Sequence, residues 1–143
     1  MQSYKGKVFL QVKKYLNEGK LVLFSGTPCE VLGLKKYLKK DFDSLYLVDL
    51  LCHGVPSPKV WAKYLREKGV DTEAKISFRS KISGWLKSSI TIETNTYKYK
   101  SIGVNDPYIS LFYSGLSMRP SCFNCKVKGI ENRQSDITLG DFW

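Results

Sequence analysis

Twice in the first half of the chain, a short apolar run leads through a cysteine-bearing turn into a proline-marked helix start. The first copy is Leu21-Val-Leu-Phe24 followed by Ser25-Gly-Thr-Pro-Cys-Glu30. The second is Ser44-Leu-Tyr-Leu-Val-Asp-Leu-Leu51 followed by Cys52-His-Gly-Val-Pro-Ser-Pro58. A continuous apolar run is the mark of a strand buried on both faces, as strands of parallel sheets are. Thr27, Pro28 and Glu30 stand at N-cap, N1 and N3, a capping box with proline in the first helical position. Ser57-Pro58 repeats that start. Apolar stripes follow at helical spacing: Val31, Leu34 and Leu38 in one case, Val60, Trp61, Tyr64 and Leu65 in the other. Gly69 ends the second helix. A further helix is predicted from about Gly6 to Glu18, on Val8, Phe9, Val12, Tyr15 and Leu16. Strand, loop and capped helix, repeated, predict a parallel α/β arrangement.

The middle of the chain changes period. Lys75-Ile-Ser-Phe-Arg79, Ser88-Ser-Ile-Thr-Ile-Glu-Thr94 and Tyr97-Lys-Tyr-Lys100 alternate apolar and polar residues, as antiparallel strands with one wet face do. Asp106 to Gly115 reads as a helix with Pro107 at N1 and Tyr108, Leu111 and Phe112 on one face. A C-x-x-C loop, a basic loop with Gly129 and a last strand within Ser135 to Trp143 follow. The expected fold is α/β: a parallel strand–helix core with an inserted antiparallel β-hairpin or meander, in a single domain over the 143 residues. The end on a strand and an aromatic pair, without loose residues, reads as a piece of a longer protein.

Net charge is +10. Most of it is lysine on predicted helix faces, such as Lys13, Lys14, Lys35, Lys36, Lys39 and Lys40, where solvation explains it. That distribution argues against nucleic acid as the main partner and leaves room for an acidic protein or an anionic cofactor. No apolar run approaches the roughly 18–20 residues of a membrane span. The first residues lack a signal peptide's apolar region. A cytoplasmic protein is expected, in which thiols stay reduced and cysteine patterns point to metal or catalysis.

The four cysteines are Cys29, Cys52, Cys122 and Cys125. Cys29 falls at helix position N2, where unpaired backbone N–H groups and the helix dipole favour a thiolate. Cys29 and Cys52 both lie beyond the carboxyl ends of predicted parallel strands, the edge where α/β sheets bind ligands. Cys122 and Cys125 form a C-x-x-C pair, a pattern shared by zinc sites, redox pairs and clusters. An iron–sulfur cluster, a zinc site and no metal at all, with Cys29 and Cys52 as buried hydrophobes or Cys122 and Cys125 in a disulfide that the intracellular default opposes, are the three readings of this set. Gly26-Thr27, at a helix start, suits one phosphate or carboxylate. His53, the sole histidine, either touches a cofactor or is structural. Arg79 offers a bidentate grip on a phosphate or is an exposed strand residue. Trp85 is a core residue or a stacking surface. Arg119 and Arg133 flank the cysteine pair, to offset cluster charge or merely as solvated residues.

Phe24-Ser-Gly-Thr-Pro-Cys-Glu-Val-Leu-Gly-Leu34, Val48-Asp-Leu-Leu-Cys-His-Gly-Val-Pro-Ser-Pro58, Ile76-Ser-Phe-Arg79 with Gly84-Trp85, Arg119-Pro-Ser-Cys-Phe-Asn-Cys125 and Ser135-Asp-Ile-Thr-Leu-Gly-Asp-Phe-Trp143 together resemble the C-terminal domain of the coenzyme F420 hydrogenase/dehydrogenase beta-subunit family. The resemblance runs over nearly the whole chain. It implies a flavin- and iron–sulfur-dependent oxidoreductase, with Cys29, Cys52, Cys122 and Cys125 as [4Fe-4S] ligands and the Cys52-His53-Gly54 loop beside FAD. It also implies a redox partner protein or ferredoxin-like domain, and a homo-oligomer is compatible with it. Glu30 departs from the glutamine expected there but keeps the capping-box role. The family's Ser/Gly-rich flavin segment is not seen in this sequence, so the flavin site of this piece is expected to be incomplete and the isolated piece inactive. The alternative reading is a zinc-stapled basic module that docks an acidic protein or nucleic acid.

Overall fold

The proline-marked helix starts appear where the sequence places them. A computed structural model of the chain describes residues 5–70, 73–82, 84 and 89–140. It has α1 (Val8–Asn17), β1 (Val22–Gly26), α2 (Pro28–Leu38), β2 (Leu45–Leu50), α3 (Pro58–Glu67), β3 (Lys75–Ser80), β4 (Ser89–Glu93), β5 (Lys98–Ile102), α4 (Pro107–Tyr113), α5 (Pro120–Phe123) and β6 (Ile137–Leu139). Proline opens α2, α3, α4 and α5. At N1 its missing N–H costs nothing, because that donor has no intrahelical acceptor. The cysteine pair, expected in a loop, begins in the short α5: Arg119-Pro120 supplies the N-cap and N1, and Cys122 lies inside the turn.

Contacts divide the chain into two units, one of Met1–His53 with Cys125–Trp143 and one of Gly54–Asn124. The first is a parallel sheet in the order β1-β2-β6. Its core comprises Val12 and Leu16 of α1, Val31, Leu34 and Leu38 of α2, Val22 and Phe24 of β1, and Leu47 of β2. Phe9 meets Phe24 edge-on, with ring centroids 5.9 Å apart. Leu21 and Leu23 are 74% and 69% exposed, so the run expected to be buried on both faces is buried on one. The reason is that the core residues of α1 and α2 pack with Val22, Phe24 and Leu47, while Leu23 and its register partner Tyr46 take the opposite direction. Asp136 starts β6 by imitating the ladder: its N–H donates to Leu47 O at 2.9 Å, and its Oδ2 accepts the Leu47 N–H at 2.7 Å.

The second unit carries the antiparallel sheet β3-β4-β5 expected from the alternating segments. Between Ser77 and Ser80 the register with β4 slips by one residue, a bulge that includes Phe78 and Arg79. Ile90 and Ile92 of β4 are fully buried, with Tyr64 of α3 and Tyr108 of α4. Trp61 lies 4.7 Å from Tyr108 and 5.5 Å from Tyr64, centroid to centroid. The predicted helix face of Tyr108, Leu111 and Phe112 buries only Tyr108 fully, and Leu111 is exposed.

Asp106 is the polar centre of this unit and is fully buried. Its Oδ1 accepts the N–H groups of Tyr108 and Ile109, capping α4. Its Oδ2 accepts the hydroxyls of Tyr64 at 2.7 Å and Tyr99 at 2.9 Å. Burial, and then the bond to Asp106, push the Tyr64 hydroxyl above the ordinary tyrosine range.

Candidate metal centre

Cys29 is placed by the first turn of α2. The Glu30 carboxylate accepts the Thr27 N–H at 2.8 Å, closing the capping box. A Cβ on Gly26 would come within 2.8 Å of Glu30 Oε2 and 3.2 Å of Phe24, so the glycine makes room for that carboxylate. The Thr27 hydroxyl lies 3.2 Å from the Cys29 sulfur, which is exposed. Gly26-Thr27, expected to hold a phosphate or carboxylate, thus has its N–H and hydroxyl engaged within the turn.

Cys52 leaves the neighbouring strand. Gly26 of β1 is in register with Asp49 of β2, and each stands three residues before a cysteine. The parallel pairing therefore brings the segments bearing Cys29 and Cys52 to one edge of the sheet. The end of β2 is held by three groups. Leu51 N–H donates to Leu139 O at 2.8 Å. Arg133 donates through Nη1 to Asp49 Oδ1 and to Leu50 O, both at 2.8 Å, and through Nη2 to Lys128 O at 3.3 Å. Thr138 adds a hydroxyl to Asp49 Oδ1 at 2.7 Å. The solvated alternative for Arg133 is thereby corrected: its side chain is 4% exposed and ion-paired, because Asp49 is buried in an apolar strand and needs a cation. A lone aspartate in the Leu45–Leu50 run is the sequence signal for such a partner.

In the second unit, Gly54 begins the strand-like exit of the same loop. Its φ is +139°. A Cβ there would stand 2.5 Å from Met118 Sδ and 3.4 Å from Cys122 Cβ. Pro56 bridges Met118, Ser57 N–H donates to Ser117 O at 2.7 Å, and Arg119 N–H donates to Val55 O at 3.0 Å. Cys122 then sits in the first turn of α5, its N–H bonded to Arg119 O at 2.9 Å. Gly54 is thus favoured by its backbone angle, and a Cβ there would press on the Met118 side chain while meeting Cys122 at ordinary contact distance. Gly54→Ala is expected to cost about 1–3 kcal/mol through backbone strain, read as a lower urea midpoint. An unchanged midpoint would show that the backbone relaxes and Met118 moves aside.

The donor chemistry suits a thiolate-bound centre: none of the four cysteines is in a disulfide, with Cys29 exposed and the other three half-buried. Their placement is divided, since Cys29, Cys52 and Cys125 belong to the first unit and Cys122 to the second. Among the described residues no group of three or more His, Cys, Asp or Glu stands ready to hold a metal ion. His53 is exposed beside Cys52, and Arg79 is exposed in the β3 bulge next to Phe78. Trp85 lies outside the described residues. Among the described residues no helix is long and apolar enough to cross a membrane.

The model of one protein family, described as the C terminus of the coenzyme F420 hydrogenase/dehydrogenase beta subunit, matches residues 19–142. No curated protein matches the chain.

Proposed function

The chain belongs to the family formed by the C-terminal part of coenzyme F420 hydrogenase/dehydrogenase beta subunits, domains of redox enzymes, and from that membership we propose that it carries electrons through a [4Fe-4S] centre bound by Cys29, Cys52, Cys122 and Cys125. One observation supports the reading above the others. The segment around Cys52 is tethered on both sides to both flanks of the cysteine pair. Ahead of Cys52, Leu50 O shares the Arg133 guanidinium with Lys128 O, just after Cys125. Beyond Cys52, Val55 O accepts the N–H of Arg119, just before Cys122. Each tether lies within its own unit.

When bound, such a cluster supplies one-electron transfer beside a flavin that handles hydride. The residues of this chain do the rest. The Thr27 hydroxyl, in contact with the Cys29 sulfur, is able to donate a hydrogen bond to the thiolate, which tunes potential in thiolate centres. His53, exposed next to Cys52, offers a donor or a proton at the flavin side. Gly26-Thr27 shapes the turn that faces the cofactor, and Arg79 offers a guanidinium for a phosphate of FAD. The electron acceptor is F420-like or another carrier, and the donor is a redox partner protein or ferredoxin-like domain. This reading places the chain in the cytoplasm, where the thiols stay reduced.

Elemental analysis after anaerobic purification and reconstitution tests the metal. Iron and acid-labile sulfide in equal amounts, with broad visible absorbance, are expected. Stoichiometric zinc without sulfide would replace this reading with the zinc-stapled module.

A further inference from the structure

Arg133 is a nearly buried cation of the first unit. Its side chain is 4% exposed and its partner Asp49 is fully buried. As a stability device the pair is poor. Asp49 Oδ2 and Arg133 Nε have no hydrogen-bond partner among the described residues, and buried ion pairs of this kind are often replaced by apolar residues without loss. What the guanidinium does better than any apolar pair is hold several acceptors at once in a rigid plane. It takes the Asp49 carboxylate, the Leu50 carbonyl and the Lys128 carbonyl. Leu50 is two residues before Cys52, and Lys128 is three residues after Cys125. All of these residues lie in one unit.

We propose that Arg133 is a positioning residue, pinning the segment that leaves Cys125 onto the end of β2 that leads into Cys52, and so setting the spacing of these two thiols. The consequence for a cluster rests on the reading of the cysteines as its ligands; the spacing itself does not. Asp49 orients the guanidinium, and Thr138 orients Asp49 from the neighbouring strand. Lysine at this position keeps the charge but is a single point donor on a flexible stem, so it cannot hold both carbonyls together with the carboxylate.

Three forms of the chain decide it: the parent, Arg133→Lys, and the double variant Asp49→Leu with Arg133→Met. The double variant removes the charge pair as a unit, so its thermal midpoint by circular dichroism is expected to match or exceed that of the parent. Each form is reconstituted anaerobically with ferrous iron and sulfide and then challenged with a chelator. Both variants are expected to retain iron about 10- to 100-fold less tightly, as the loss of supporting shells around metal ligands does. The electron paramagnetic resonance line shape of any cluster left in Arg133→Lys is expected to differ from the parent's. A second readout needs no metal. With Cys29→Ser and Cys122→Ser in the background, the rate at which a short bis-maleimide joins Cys52 to Cys125 is expected to fall several-fold in Arg133→Lys. Equal iron retention in the parent and in either folded variant would overturn the proposal, as would an equal cross-linking rate. A parent that takes up no iron would overturn the cluster reading instead, and the cross-linking rate would still decide the role of Arg133.

Discussion

Asp106→Ala is expected to destabilise the unit of Gly54–Asn124 by about 3–5 kcal/mol, the upper end of what single substitutions do. Four donors converge on this one buried carboxylate: two backbone N–H groups and two tyrosine hydroxyls. Losing a helix N-cap alone costs about 1 kcal/mol. Leaving buried donors unpaired adds about 1–3 kcal/mol for each one that cannot find water. Against a total stability of about 5–15 kcal/mol, the result is a unit close to its unfolding threshold at room temperature. Asp106→Asn keeps an acceptor for the cap and should cost much less. The tyrosines add a pH signature. The Tyr64 hydroxyl is held above its ordinary 10.0, by burial first and by Asp106 second. A raised pKa in the folded state contributes stability that is intact below the unfolded value and is lost as the pH climbs past it. The parent should therefore weaken above pH 10, and Tyr64→Phe should lose that part of the slope. Urea titrations at neutral pH and above pH 10 read both effects. A midpoint for Asp106→Ala within error of the parent's would show that water replaces the carboxylate.

The second large effect concerns the cysteine pair. Cys122→Ser and Cys125→Ser, singly, are each expected to reduce bound iron after reconstitution to background, while leaving the melting temperature of the metal-free chain within a few degrees of the parent's. A serine hydroxyl has nearly the shape of the thiol but remains protonated at neutral pH, so it is a far poorer ligand for iron in a sulfide-bridged cluster. Neither sulfur lies in a buried core cluster, which is why stability should be spared. Cys29→Ser should behave likewise, since Cys29 is exposed. Full iron retention in any one of the three would remove that residue from the ligand set.

Much of the path to the site is legible in the sequence because it is written in local signals. Thr27-Pro28 with Glu30, Ser57-Pro58 and Asp106-Pro107 mark helix starts by chemistry that involves only neighbouring residues. The alternation in Lys75 to Lys100 likewise marks strands with two different faces. The run Leu21 to Phe24 carries no such mark. When every position is apolar, period two is invisible, and only the packing of α1 and α2 on Val22 and Phe24 decides that Leu21 and Leu23 face outward. The polar centres are hidden for a different reason. Tyr64 and Tyr108 belong to the apolar faces of their helices, as their spacing predicts, but the Tyr64 hydroxyl finds Asp106 at 42 residues' separation. Asp49 and Arg133 meet across 84 residues. Gly54 is visible as a glycine in a turn, but the neighbours a side chain there would meet, Met118 and Cys122, are brought near by the bridge between Pro56 and Met118. Motif spacing marks the four cysteines as candidates, and the hydrogen bonds of Arg133 and Arg119 that tie the segment around Cys52 to the flanks of Cys122 and Cys125 emerge only from the three-dimensional pairing.

The most direct measurement is the low-temperature electron paramagnetic resonance spectrum of the reconstituted chain, reduced under anaerobic conditions. Our reading predicts a fast-relaxing signal of a reduced [4Fe-4S] centre, present in the parent and absent when Cys122 and Cys125 are both serine. A spectrum without that signal in a folded parent chain, or one unchanged by the loss of both cysteines, would contradict it.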